Sequence, residues 1–255
     1  MLRNRFIPVL LLKKHGLVKT VKFKDPKYIG DPVNAIKIFN EKEVDELVFL
    51  DITVSTENRE PPYQKIAEVA TECFMPFCYG GGIRDLKTIE KIFTLGAEKV
   101  ALNTAAAHNI DLIQEATKCF GGQSIIVSID VKKNLLGKYE VFILGGTKNT
   151  KLSPVDYARR LEQAGVGEIF LNSIDRDGMM EGYDIELIKT VTSVIGIPVV
   201  AVGGAGSLDD MVSAIKDGGA SAAGAGSFFV FQGKHRAVLI TYPDREVIEK
   251  KIRNG

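Results

Sequence analysis

The sequence predicts an α/β chain folded as a (β/α)8 barrel built from two duplicated half-barrels, and three observations carry that expectation. Strand-length apolar runs alternate with longer amphipathic ones about eight times. The length of 255 residues suits one such barrel. The chain also repeats itself. Gly80-Gly81-Gly82-Ile83 returns as Gly203-Gly204-Ala205-Gly206, and Gly81, Gly96 and Asn103 stand 123 positions before Gly204, Gly219 and Gly226. No Ser/Pro-rich linker divides the halves, so residues 1–255 read as a single barrel domain.

The strands are expected at Phe6–Leu12, Glu46–Thr53, Pro76–Tyr79, Val100–Asn103, Ser124–Val131, Glu140–Leu144, Glu168–Ser173, Pro198–Val202 and Ser221–Ala225. Most are apolar on both faces, as buried parallel strands must be when helices cover the sheet. Nine candidates exceed eight. Glu140–Leu144 follows Lys133–Lys138 closely and reads either as a hairpin extension of a loop or as the sixth strand. Helices are expected at Pro32–Glu43, Tyr63–Glu72, Leu86–Leu95, Asp111–Cys119, Pro154–Ala164, Ile185–Val194, Leu208–Lys216 and Arg245–Ile252. Ser153 before Pro154, and Ser207 three residues before Asp210, are start signals. Gly96, Gly121, Gly165, Gly196 and Gly218 fall where helices should stop.

Composition excludes several functions. Hydrophobic residues make up 45% and charged residues 25%, as in soluble globular proteins. A net charge of +1 provides no basic field for nucleic acid. No apolar run reaches the length that spans a bilayer. The apolar start of MLRNRFIPVLLLKKHG lacks a small-residue cleavage site and reads as a buried first strand. Cys73, Cys78 and Cys119 form neither a CxxC pair nor an even framework, which points to reduced core thiols in a cytoplasmic protein. The three histidines lie far apart, and neither a metal centre nor a cofactor is expected.

A barrel carries its functional groups at the C-terminal ends of its strands. There the repeat places two glycine turns, Gly80–Gly82 with Asn103-Thr104 and Gly203–Gly206 with Gly226-Ser227. Backbone N–H groups at such turns can approach phosphate oxygens closely. Two matched turns point to a ligand with a phosphate at each end. Asp130 closes the apolar run Ser124–Asp130 at the barrel mouth, where lost solvation lifts a carboxyl pKa towards proton-transfer range. Asp51 and Asp175-Arg176-Asp177-Gly178 read either as hydroxyl-orienting groups or as loop caps. Arg5, Glu46, Lys99 and Glu168 precede or begin strands at the opposite end, and spacing alone makes them a solvated rim. Spacing likewise makes Lys19 a solvated loop charge.

The chain resembles the cyclase subunit of imidazole glycerol phosphate synthase, the HisF family, over nearly its whole length. The motifs that carry the resemblance are Gly30-Asp31-Pro32, Asp45–Thr53, Gly80–Ile83, Asn103-Thr104-Ala105, Ser128-Ile129-Asp130, Ser173–Gly178, Gly182-Tyr183-Asp184 and Gly203–Gly206. The resemblance implies a heterodimer with a HisH-like glutaminase that makes ammonia from glutamine. The ammonia would cross the barrel and attack a bis-phosphorylated nucleotide at the C-terminal face. Phosphate contacts carry over to Gly82, Asn103 and Thr104 at one end, and to Asp177, Gly178, Gly204, Gly226 and Ser227 at the other. Lys19, in a mobile first loop, carries over as a substrate-binding lysine, and Asp130 as the general acid. Arg5, Glu46, Lys99 and Glu168 carry over as the salt-bridged ring that gates the ammonia tunnel.

One correspondence fails. The family pairs a first-strand aspartate, its general base, with a fifth-strand one, and this chain has Leu11 against Asp130. Leucine accepts no proton, and His15 would substitute only if its loop folded inward. Thr20, Val202, Met179 and Lys151 also depart from the family pattern. The pattern resembles divergent HisF-like paralogues that serve surface-polysaccharide pathways. In those, ammonia is thought to amidinate a nucleotide-linked sugar, with a separate amidotransferase as a further partner. The alternatives are a genuine histidine-pathway cyclase and a catalytically dead conduit or scaffold.

Overall fold

The computed structural model describes residues 4–254 and contains the eight-stranded parallel barrel. Its strands are β1 (Arg5–Lys13), β2 (Leu47–Asp51), β3 (Phe77–Gly80), β4 (Lys99–Leu102), β5 (Ile125–Lys133), β6 (Glu168–Ser173), β7 (Val199–Val202) and β8 (Ala222–Ala225). Neighbours in sequence pair in space. β8 pairs with β1, and β5 with β6, so the sheet closes without an edge. Helices α1 (Pro32–Glu41), α2 (Tyr63–Glu72), α3 (Leu86–Thr94), α4 (Ile110–Phe120), α5 (Pro154–Gln163), α6 (Ile185–Thr192), α7 (Leu208–Lys216) and α8 (Arg245–Asn254) lie between or after the strands.

Local chemistry sets the helix starts. Asp31 accepts from the Asn34 backbone N–H ahead of Pro32, and Asp85 accepts from that of Thr88. Ser207 and Asp210 form a reciprocal capping box on α7, as their spacing predicts. Several helices end a residue or two before the expected positions, where the last turn gives way to a single turn residue. The stop after α7 uses Gly219 in the left-handed region (φ 75°) rather than Gly218.

Tyr139–Ile143 pairs antiparallel with β5, which settles the ninth candidate as a hairpin extension. A second hairpin was not foreseen. Gly16–Val21 and Lys24–Gly30 pair with each other, and Gly16–Val21 also pairs antiparallel with the end of β1. The loop that carries Lys19 is therefore built on two paired strands. Two short helices, Thr104–His108 and Ser227–Val230, follow β4 and β8 directly.

The core has two parts. The larger packs the outer face of the barrel against the helices. The smaller fills the barrel interior with Ile7, Val9, Val48, Cys78, Ala101, Ile126, Phe170, Val200 and Ala222. Cys78 is the core thiol. Cys119 is exposed and Cys73 half-buried, so the expectation of three core thiols is corrected. No helix among the described residues is long and apolar enough to cross a membrane.

Candidate active site

A cavity of about 220 Å³ opens at the C-terminal face of the barrel, and it gathers one set of the residues singled out above. Leu11, Lys19, Gly82, Asn103, Thr104, Asp130, Asp177, Gly178, Gly204, Gly226 and Ser227 all line it. His15 does not: it sits exposed in the turn between β1 and the first hairpin, which removes it as a substitute base.

Asp130 is the chemical centre. It accepts from the Ser128 hydroxyl at 3.1 Å and from Asn103 Nδ2 at 3.2 Å. Burial pushes its carboxyl up to about 7; the Ser128 hydrogen bond opposes this and the nearby Asp177 adds to it. A carboxyl poised there suits proton transfer near neutrality. Asn103 also donates to the Ser128 carbonyl at 3.0 Å, so its side chain holds Asp130 rather than standing free at the glycine turn.

Sequence reasoning missed Asn172. It lies in register with Asp130 on the neighbouring strand, and its Oδ1 is shut off from solvent with no hydrogen-bond partner. Asparagine at a strand end is ordinary, and only the β5–β6 pairing marks it. The cavity floor is consequently split. Asn103, Ser128, Asp130 and Asn172 supply a polar half, while Val9, Leu11, Leu50 and Val202 supply an apolar half. Leu11 pairs in register with Leu50.

The central glycines of the two turns match in conformation. Gly81 and Gly204 adopt φ of 125° and 120°. A Cβ at Gly81 would meet the Asp51 carbonyl oxygen at 2.5 Å, and one at Gly204 would meet that of Gly182 at 2.3 Å. No side chain fits either position. The Gly82 N–H is held by the Ser55 hydroxyl at 3.1 Å.

The first hairpin closes over one side of the mouth. Lys19 is buried, its Nζ donates to the Val9 carbonyl at 2.5 Å, and it lies against the Gly226 turn. Burial lowers its pKa to about 8, against the pull of Asp177. The solvated-charge reading of Lys19 is therefore wrong. Asp177 accepts from the Thr20 hydroxyl at 2.9 Å and from the Phe23 N–H at 3.3 Å. Burial raises its pKa as well. Thr20 is thus one of three hairpin residues tied to Asp177, with the Phe23 N–H on its carboxylate and the Lys22 N–H on its carbonyl at 2.9 Å. Asp51 caps its own loop through Thr53 and Val54, and Asp175 accepts from the Lys133 N–H. With the hairpin down, the cavity is smaller than the roughly 300–1,000 Å³ common for ligand sites.

At the opposite end Arg5, Glu46, Lys99 and Glu168 come together, although more than a hundred residues separate some of them. Arg5 donates to Glu46 at 2.5 Å and to Glu168; Lys99 Nζ lies 2.8 Å from Glu46 and 3.3 Å from Glu168. The four alternate in sign around a closed ring, with both carboxylates buried. Burial opposes the charge on Lys99, but Glu168 and Glu46 outweigh it and hold the ammonium above its ordinary pKa. The solvated-rim reading is corrected. The apolar interior lies between this ring and the cavity floor.

Comparison with known proteins identifies the relatives of the chain. The model of the family described as histidine biosynthesis protein matches residues 5–236. The chain is 59% identical over 244 residues to a Pseudomonas aeruginosa protein carrying the name imidazole glycerol phosphate synthase subunit hisF2, spanning 96% of this chain and 97% of that one. It is 50% identical over 247 residues to a Leptospira interrogans protein named for the HisF subunit, spanning 96% and 97%. It is 43% identical over 229 residues to imidazole glycerol phosphate synthase subunit HisF of Alkaliphilus metalliredigens, spanning 90% and 91%.

Proposed function

The chain belongs to the histidine biosynthesis protein family, as a HisF-type member, and from that premise we propose that it is the ammonia-receiving synthase subunit of a glutamine amidotransferase pair. A HisH-like glutaminase binds the N-terminal face, around the ring of Arg5, Glu46, Lys99 and Glu168. Ammonia enters through that ring, which carries no net charge, crosses the apolar interior and arrives at the floor beside Asp130. Two supports favour this reading: the closure of the ring, and the apolar side chains that pack the barrel interior between the ring and the floor. The glycine turns at Gly82, with Thr104 beside it, and at Gly204 and Gly226, with Gly178 and Ser227, then receive anionic groups of a bis-phosphorylated or nucleotide-linked small molecule.

The observation that carries the finer reading is Leu11 on the floor that Asp130 shares. Ring closure to an imidazole needs a group that takes a proton as well as one that gives it, and such groups contribute about 10²–10⁴-fold each. The apolar half of the floor, Leu11, Leu50 and Val202, offers none. We therefore assign the chain to ammonia delivery for amidination of a nucleotide-linked sugar in surface-polysaccharide synthesis, completed by a separate amidotransferase.

The second reading, a histidine-pathway cyclase, is favoured by the Asp130 carboxyl near 7. Ammonia-driven turnover of the bis-phosphate nucleotide discriminates between them. Background turnover by the native chain, raised at least about 10²-fold by Leu11→Asp, supports divergence. Turnover at a cyclase's rate by the native chain rejects it. A dead conduit is excluded if Asp130→Asn abolishes pathway output with the glutaminase still active.

A further inference from the structure

Eight large apolar side chains are exposed among the described residues, and six of them stand on loops at the C-terminal face. Val21 and Tyr28 are on the first hairpin. Leu135 and Leu136 form the tip of the β5 hairpin; Val238 ends the short β8 hairpin that pairs Phe231–Gln232 with Ala237–Val238, and Leu239 follows it. Exposed apolar residues scattered singly need no explanation, but a set gathered on one face marks an interaction site.

Their placement is specific. β1 and β5 are four strands apart in an eight-stranded closed barrel, so their loops face each other across the cavity mouth. The β8 hairpin lies beside the first one, where Lys27 Nζ sits 5.9 Å from the Phe231 ring centroid. Arg236 ties the same hairpin to the Gly178 and Met179 carbonyls on the mouth. The β5 tip is held upright. The Asn134 side chain accepts from the Leu136 and Lys138 N–H groups, and the Tyr139 hydroxyl donates to Asp184 at 2.8 Å. Leu135 and Leu136 cannot fold back without breaking these bonds.

Charge distinguishes the same three segments. Residues 21–28, 132–138 and 233–239 carry eight lysines and arginines against one acidic residue, Asp25, in a chain of net charge +1. A basic mouth alone would suit a small phosphorylated ligand. Such a ligand leaves the leucine tip unused, because Leu135 and Leu136 are exposed and do not line the cavity.

We propose that these three tips are the docking surface for a second protein, one with an apolar patch rimmed by carboxylates, which covers the mouth and takes up the ammonia. The proposal rests on the delivery function above. Ammonia released into water at neutral pH protonates and loses its nucleophilic lone pair, so its consumer has to seal the exit. The glutaminase in that reading holds the opposite face, which leaves this one for the consumer. Basic charge on this side and acidic charge on the other speeds encounter and sets orientation, while the leucines supply the desolvated centre.

The test uses the full chain with its glutaminase and, as probe, the purified sugar amidotransferase of the same pathway. The variant is Leu135→Asp/Leu136→Asp, on an exposed turn away from the cavity. The expected result is binding to the amidotransferase weakened at least about tenfold, with glutaminase binding unchanged. Glutamine-driven amidination falls, amidination driven by added ammonium persists, and the wild-type affinity drops as salt rises. Variant binding and coupling equal to wild type would overturn the docking surface and leave the delivery function standing. Absence of any coupling between wild type and amidotransferase would overturn both. Loss of binding to phosphatidylglycerol vesicles only, or loss of a self-association seen by sedimentation, would overturn the proposal in favour of a membrane or a second copy.

Discussion

Replacing Asp130 with asparagine should change how stability depends on pH, and by a calculable amount. Burial lifts the Asp130 carboxyl from 3.8 to about 7 in the folded chain. Between those values the unfolded chain has released the proton while the folded chain keeps it. The folded state then binds more protons, so this group's contribution to stability is complete below about pH 4 and is lost as pH rises to about 7. At about 1.4 kcal/mol per pH unit, the whole span corresponds to about 4 kcal/mol. The substituted amide does not titrate, and its single oxygen keeps one of the two bonds that Ser128 and Asn103 make to different oxygens of Asp130, a loss that does not vary with pH. The measurement is urea unfolding of both proteins in small pH steps from 5 to 8.5. Titrating groups that do not interact with Asp130 cancel in the difference. The variant should gain about 3 kcal/mol relative to wild type between pH 5 and pH 8, with no further change above. A difference that stays flat across that range would refute the claim that Asp130 is desolvated and protonated in the fold.

Three further outcomes follow from the same geometry. Lys19 has its pKa lowered to about 8, so wild-type stability should rise relative to Lys19→Met as pH climbs from about 8 to about 10.5, by about 3 kcal/mol in unfolding titrations. Thr20→Val removes the hydroxyl that Asp177 accepts; hydrogen exchange across residues 16–30 should quicken by the equivalent of about 2 kcal/mol while the barrel strands stay protected. Glu46→Ala leaves Arg5 and Lys99 half-paired in a mostly buried ring and should cost about 3 kcal/mol, read as a lowered Tm, whereas Glu186→Ala on the exposed Lys133 pair should cost less than about 1.

The barrel was legible in the sequence because its parallel strands are buried on both faces and therefore uninterrupted by charge, and because polar caps and glycines punctuate the helices between them. The first hairpin was not. Its second strand, Lys24–Gly30, carries Pro26 and is mostly exposed, so no alternating pattern declares it. The short helices Thr104–His108 and Ser227–Val230 span barely a turn, too little for a period to register. At the site, Asp130 and Leu11 could be compared because the halves align. Lys19, Asn172 and the four-charge ring could not be judged that way. Each draws its meaning from a neighbour far along the chain: Lys19 from the Val9 carbonyl and Asp177, Asn172 from Asp130, and Glu46 from Lys99 and Arg5. The first hairpin, strand pairing and barrel closure bring those partners together, and no local spacing encodes them.

The paired glycines 81 and 204 carry a consequence for how this gene tolerates change. A Cβ at either position would run into a backbone carbonyl oxygen, that of Asp51 or of Gly182, so replacement by any other residue collides with backbone in either half. A saturation library of the whole chain should then show an echo. Depletion of variants at one position should recur 123 codons later, at 81 with 204 and at 96 with 219, where both glycines again hold positive φ. The echo should fade at the floor of the mouth, where the second half keeps Asp130 beside Ser128 and Asn172 and the first offers Leu11 beside Val9 and Leu50. The duplication would be readable there as a rhythm of lethal codons, and the point where it breaks would mark which half has since taken on the chemistry.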